Sequence, residues 1–166
     1  MLHALVLAAA AAATVPSWMH VDPAHKKVAM TISMASDDAN GTLNFNGFGH
    51  GDLTITVPSG WNVDMTVVNA GEGAIPHSLE VIPVAPALPG VGVEPAAFSG
   101  AETTDLVRGM AVGATDHATF VASKSGRYWL FCGVAGHGTG GMWDYFVVSS
   151  SAKAPSVTIK RGGRTA

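Results

Sequence analysis

Cys132, His137 and Met142 follow one another at intervals of five residues, in the run Phe131-Cys132-Gly133-Val134-Ala135-Gly136-His137-Gly138-Thr139-Gly140-Gly141-Met142. A thiolate, an imidazole and a thioether on one loop suit a soft metal, because thiolate and thioether sulfur favour copper whereas a thioether adds little for zinc. Five glycines lie between Cys132 and Met142, and they let the backbone wrap around a small centre. Cys132 is the only cysteine in the chain, so neither an internal disulfide nor a multi-cysteine zinc site is available. A lone cysteine is ordinarily a small buried hydrophobe; its His and Met neighbours set this one apart.

A second imidazole has to come from elsewhere, and His77 is the best candidate. Pro76 fixes the entry to an extended segment in which His77, Leu79 and Val81 alternate onto one inward face. The other histidines read as surface side chains: His3, His20 and His25 lie in the terminal region, His50 in a Gly-rich turn, and His117 among polar neighbours. Two His, one Cys and a distant axial Met form the donor set of blue-copper electron-transfer sites. Cu(I) favours sulfur and Cu(II) favours nitrogen, so a rigid mixed site needs little rearrangement when one electron moves.

The elements that must position these donors read as strands. Short apolar and β-branched runs punctuated by Gly, Pro and Asn predict strands over 27–34, 42–46, 52–57, 62–69, 77–82, 115–121, 128–132 and 143–148, with one more at 156–160. Leu53, Ile55 and Val57 share one face, opposite Thr54 and Thr56. The Pro-rich stretch 83–100 reads as a long connection, followed by a helical turn over 102–108. Eight or more short strands and no sustained helical period indicate an all-β sandwich or barrel. Phe45, Trp129, Phe131, Trp143 and Phe146 are expected to pack the core.

At 166 residues, 48% hydrophobic and 13% charged, the chain suffices for one globular domain. Between Val28 and Ala152 three bases stand against eleven acids, which argues against a nucleic-acid partner. Residues 1–15 hold no Lys, Arg, Asp or Glu and are mostly Leu, Val and Ala, and they read as a signal peptide or the remnant of a membrane anchor. Residues 151–166 read as a basic carboxyl-terminal tail, and Asn40-Gly41-Thr42 forms a sequon.

The spacing of Cys132, His137 and Met142 is similar to that of sulfocyanins and rusticyanin. The runs Leu43-Asn44-Phe45-Asn46-Gly47, Val57-Pro58-Ser59-Gly60-Trp61, Pro76-His77-Ser78 and Phe131-Cys132-Gly133 resemble the sulfocyanin family of cupredoxins more closely. The resemblance implies a Greek-key β-sandwich over residues 16–150 that holds one type 1 copper ion, with His77, Cys132, His137 and Met142 as ligands. It also implies a monomeric electron carrier, working outside the cytoplasm between respiratory partners such as a cytochrome or a terminal oxidase, with the amino end as a membrane tether if it is not removed. Many cupredoxins place Asn after the first His ligand; Ser78 stands there instead, a departure expected to favour Cu(I) and a high potential. Val134, Ala135 and Ile75 could form an apolar collar around His137 for a transient partner.

Other functions fit less well. A Cys132 nucleophile with His137 as base lacks the neighbouring positive charge or helix terminus that activates a thiol. A copper oxidoreductase needs a second cluster of histidines, which the sequence does not supply. A copper chaperone or storage protein calls for exposed Met or Cys arrays, whereas Met30, Met34, Met65 and Met110 are dispersed and mostly suit strand interiors. The low charge density fits a setting outside the cytoplasm at low pH, where carboxylates are partly neutral.

Overall fold

The computed structural model describes residues 15–71 and 74–160. The segment expected to be a signal or anchor and the last six residues lie almost wholly outside the described residues. Among the described residues nine strands form: β1 (Met19–Asp22), β2 (Lys27–Met34), β3 (Leu53–Pro58), β4 (Asn62–Asn69), β5 (Glu80–Pro83), β6 (Thr115–Val121), β7 (Gly126–Phe131), β8 (Trp143–Ser149) and β9 (Ser156–Ile159). They make two sheets, ordered β1-β2-β4-β6 and β5-β7-β8-β3-β9. β2 lies parallel to β4 and β3 to β8, while the other pairs are antiparallel. The result is the expected all-β Greek-key sandwich.

The inner faces follow from the period of two. Val28, Met30, Ile32 and Met34 of β2 meet Val63, Met65 and Val67 of β4, and Leu53, Ile55 and Val57 of β3 close on the same core with Phe146 of β8. Each large side chain buried there contributes roughly 1.5–3 kcal/mol. Phe45 and Phe131 are fully buried and Trp129 nearly so, while Trp143 is half-buried. The four dispersed methionines are buried in the core, as their positions predict. No described helix is long and apolar enough to cross a membrane.

Three segments differ from the sequence reading. Residues 42–46 do not form a strand: a 3-10 turn over Ala39–Thr42 precedes single bridges from Phe45 to Met34 and Phe48. The cause is Asn44, whose Nδ2 donates to the carbonyls of Asp37 and Ala39 while its Oδ1 accepts from the Ser36 and Gly47 amides, replacing a strand ladder with local bonds. β1, which the sequence did not reveal, forms as the first arm of a hairpin with β2. The strand expected over 77–82 is regular only from Glu80, with His77 reduced to a bridge to Met110. In the long connection, the helical turn shrinks to one turn closed by the Gly109 amide donating to Asp105 O at 3.0 Å. The short strand expected near the carboxyl end is present and pairs antiparallel with β3.

Candidate metal centre

β7 ends one residue before Cys132 and β8 begins one residue after Met142, so the Gly-rich run between them is forced into a hairpin loop at one end of the sandwich. The loop folds on itself through amides donating from His137 to Val134 O (3.0 Å), Gly140 to Gly136 O (2.8 Å) and Met142 to His137 O (2.9 Å). The Cys132 amide closes it by donating to Met142 O at 3.1 Å. Glycine is required where neighbours press in: a Cβ on Gly138 would collide with the Phe131 ring, and one on Gly133 would lie 2.9 Å from Gly92 Cα.

His77 arrives from the other segment. Its amide donates to Met110 O at 3.4 Å and its carbonyl accepts from the Met110 amide at 2.6 Å. Buried Asn69 steadies both strands of this bridge, its Nδ2 donating to Ile75 O (3.0 Å) and Met110 O (2.9 Å).

All four sequence-predicted donors meet. One nitrogen each of His77 and His137 and the Cys132 sulfur lie within 4.8 Å of one another. His77 Nδ1 is 3.1 Å from Met142 Sδ, and Cys132 Sγ is 3.6 Å from His137 Nδ1. Metal–nitrogen and metal–sulfur bonds of about 2.0 and 2.3 Å place neighbouring donors roughly 3.5–4 Å apart, so the cluster has the size of a single-ion site. His77, Cys132 and Met142 are fully buried; only His137 reaches the surface. The donor set itself selects copper, since a buried thioether beside a thiol and two imidazoles offers zinc little.

Burial also sets the protonation of the two imidazoles. Burial, with a smaller contribution from the charge of His137, pulls the His77 pKa down to about 4, and burial lowers His137 as well. Both rings are therefore held toward the neutral, ligating form in weak acid. Burial pushes the Cys132 thiol up, against the Ser78 amide that donates to its sulfur at 3.4 Å. An incoming metal must displace that proton, and a thiol held protonated is a poor nucleophile. Nearby, burial raises Glu80 to about 7 although the Val93 amide donates to both its oxygens.

His20, His25, His50 and His117 are exposed, as expected. Sequence reasoning missed Asn69, Glu80 and the bridging role of Ser78, whose Oγ donates to Leu106 O (2.8 Å) and accepts from the Gly133 amide (2.9 Å). The one signal was position: Ser78 and Glu80 flank the inward-facing His77 and Leu79.

Comparison with known proteins gives one consistent grouping. The profile of the Sulfocyanin (SoxE) domain matches residues 15–159. Sulfocyanin of Sulfolobus acidocaldarius is 31% identical over 142 residues, covering 81% of this chain and 70% of that protein. Among solved structures, reduced auracyanin from Roseiflexus castenholzii is 19% identical with a TM-score of 0.53, covering 73% of this chain and 96% of its own. The copper protein rusticyanin is 19% identical with a TM-score of 0.52, covering 82% and 86%. These two show the shared cupredoxin fold. The profile match spans nearly the whole described chain, and the curated relative shares close to a third of its residues: the chain belongs to the sulfocyanin family.

Proposed function

We propose that this protein carries single electrons on one type 1 copper ion held by His77 Nδ1, Cys132 Sγ, His137 Nδ1 and Met142 Sδ. The observation that carries the reading is the convergence of two imidazoles, the only thiol and a thioether at one end of a rigid sandwich. When bound, copper supplies a one-electron couple between Cu(II) and Cu(I). The chain keeps the donors in place by hydrogen-bonded loops and excludes water from three of them. It is an electron carrier and not an enzyme, in keeping with its membership of the sulfocyanin family.

The exposed edge of His137 is the route for the electron. Val134 and Ala135 precede it on the same loop, Ile75 lies two residues before His77, and Val91, Val93 and Val107 are exposed on neighbouring loops. Such a surface suits brief contact with another redox protein, a cytochrome or a terminal oxidase, in which release matters as much as binding. The apolar amino end and the low charge density support a place outside the cytoplasm, with the amino end as leader or tether.

Loading with Cu(II) is expected to give an intense visible absorption that vanishes on one-electron reduction and returns on reoxidation. Cys132→Ala is expected to abolish it. A colourless loaded protein, or a blue Cys132→Ala variant, would overturn the reading.

A further inference from the structure

The segment carrying Met142 is held from outside by two side chains that hydrogen-bond to none of the four donors. Asn40 lies in the 3-10 turn with left-handed backbone angles (φ 52, ψ 36), a conformation Asn tolerates better than most residues. Its Nδ2 donates to Leu43 O at 3.0 Å and to Gly140 O at 3.1 Å. Both amide hydrogens are thereby spent, so its Oδ1, 3.0 Å from His50 Nε2, can only accept. His50 Nε2 is therefore the donor in this contact.

His50 acts on the next residue along. Its amide donates to Gly141 O at 2.8 Å, and its ring occupies the space a Gly141 Cβ would need. Gly141 has φ 104, open to glycine. Gly49 presses from the same side, where an added Cβ would lie 2.7 Å from Gly141 O. From within, the Met142 amide and carbonyl are tied to His137 and Cys132. The backbone that launches the thioether is thus gripped on both sides, and the outer grip belongs to Asn40 and His50. The asparagine of the sequon is committed to this grip through its amide nitrogen.

We propose that Asn40 and His50 are positioning residues for Met142, holding Gly140–Gly141 so that the axial sulfur keeps one place and the balance between Cu(II) and Cu(I) stays fixed. The proposal rests on the reading of Met142 as a ligand. Groups hydrogen-bonded directly to metal ligands change metal affinity by roughly 10–100-fold when replaced; Asn40 and His50 act one step further out, at the low end of that range.

The test compares Asn40→Asp, which points a carboxylate at two carbonyl oxygens, with His50→Ala and with His50→Gln, whose amide can still donate to Asn40. Met142→Leu reports the axial sulfur itself, and Asn46→Ala removes hydrogen bonds to Ser33 and Thr31 in the neighbouring turn. Measurements are the reduction potential, the ratio of the visible bands, copper affinity, and amide exchange at Met142 in the copper-free protein. Asn40→Asp and His50→Ala are expected to move the potential and band ratio, weaken copper binding about tenfold and speed Met142 exchange about tenfold, with His50→Gln recovering part of each. Asn46→Ala is expected to lower thermal stability and leave the spectrum unchanged. Parental spectrum and potential in both grip variants, beside an altered Met142→Leu, would overturn the proposal and leave the copper site standing. The same spectral change in Asn46→Ala would also overturn it, and an unaltered Met142→Leu would remove Met142 from the ligand set and the proposal with it.

Discussion

A single hydroxyl joins the two segments of the copper site. Ser78 Oγ donates to Leu106 O and accepts from the Gly133 amide, while the Ser78 amide points at the Cys132 sulfur. Ser78→Ala would leave a buried donor and a buried acceptor unpaired, a loss of roughly 1–3 kcal/mol for such groups, readable in urea unfolding of the copper-free protein. The Oγ itself stands 3.9 Å from the sulfur, so the side chain gives the thiolate little direct donation. Ser78→Asn, restoring the residue many cupredoxins use, is therefore expected to lower the reduction potential; a redox titration showing it unchanged or raised would defeat the argument. At this scale the four converging donors were legible in the sequence because Cys, His and Met are rare donor types at a fixed local spacing. The bridging role of Ser78 and the parts played by Asn69 and Asn40 were not, because each depends on a backbone partner far along the chain, Leu106, Met110 and Gly140 in turn, that only folding brings near.

The ligand hairpin depends on its glycines for two separate reasons. Gly136 has φ 81 and nothing within 4 Å of an added Cβ, whereas Gly138 has its Cβ position filled by the buried Phe131 ring. Alanine at 136 is expected to cost about 1–2 kcal/mol through backbone conformation alone. At 138 it must displace an aromatic ring packed between β7 and the loop, and overpacking of this kind costs about 1–3 kcal/mol or more, with the added consequence that His137 shifts. The measurable contrast is spectral: Gly136→Ala keeps the visible bands while losing stability, and Gly138→Ala alters both. Matching spectra in the two variants would show that Phe131 does not brace the loop. Strands with clean alternation, such as β3 and β4, were readable from the period of two. The 42–46 segment was misread because Phe45 is as buried as a strand residue, yet its neighbour Asn44 satisfies the surrounding backbone by itself.

Across the molecule, burial creates two opposed sets of titrating groups in the copper-free protein. The His77 pKa is depressed from 6.5 to about 4. Its contribution to stability is therefore full above about 6.5 and is lost as pH falls toward 4, with His137 acting in the same sense. Glu80 is raised from 4.5 to about 7, and Asp144 from 3.8 to about 8, both chiefly by burial. Their contributions are full below the unfolded values and are lost as pH rises through the folded ones. Between about 4.5 and 6.5 the trends oppose each other, and above 6.5 only the carboxyls act. Stability is thus expected to fall as pH rises, less steeply across the lower window, where the histidines offset part of the effect of the two carboxyls, and then by roughly 2–3 kcal/mol between pH 6.5 and 8, at 1.36 kcal/mol per proton per pH unit. Urea unfolding of copper-free protein across this range makes the comparison. Combining Glu80→Gln with Asp144→Asn keeps the acceptors for Val93 and Leu53; it should abolish the alkaline loss and expose a loss in acid that belongs to His77 and His137. A parent protein that instead gains stability steadily from pH 4.5 to 8 would mean that the two carboxyls are ionised in the fold, and that the acidic body confers no preference for acid.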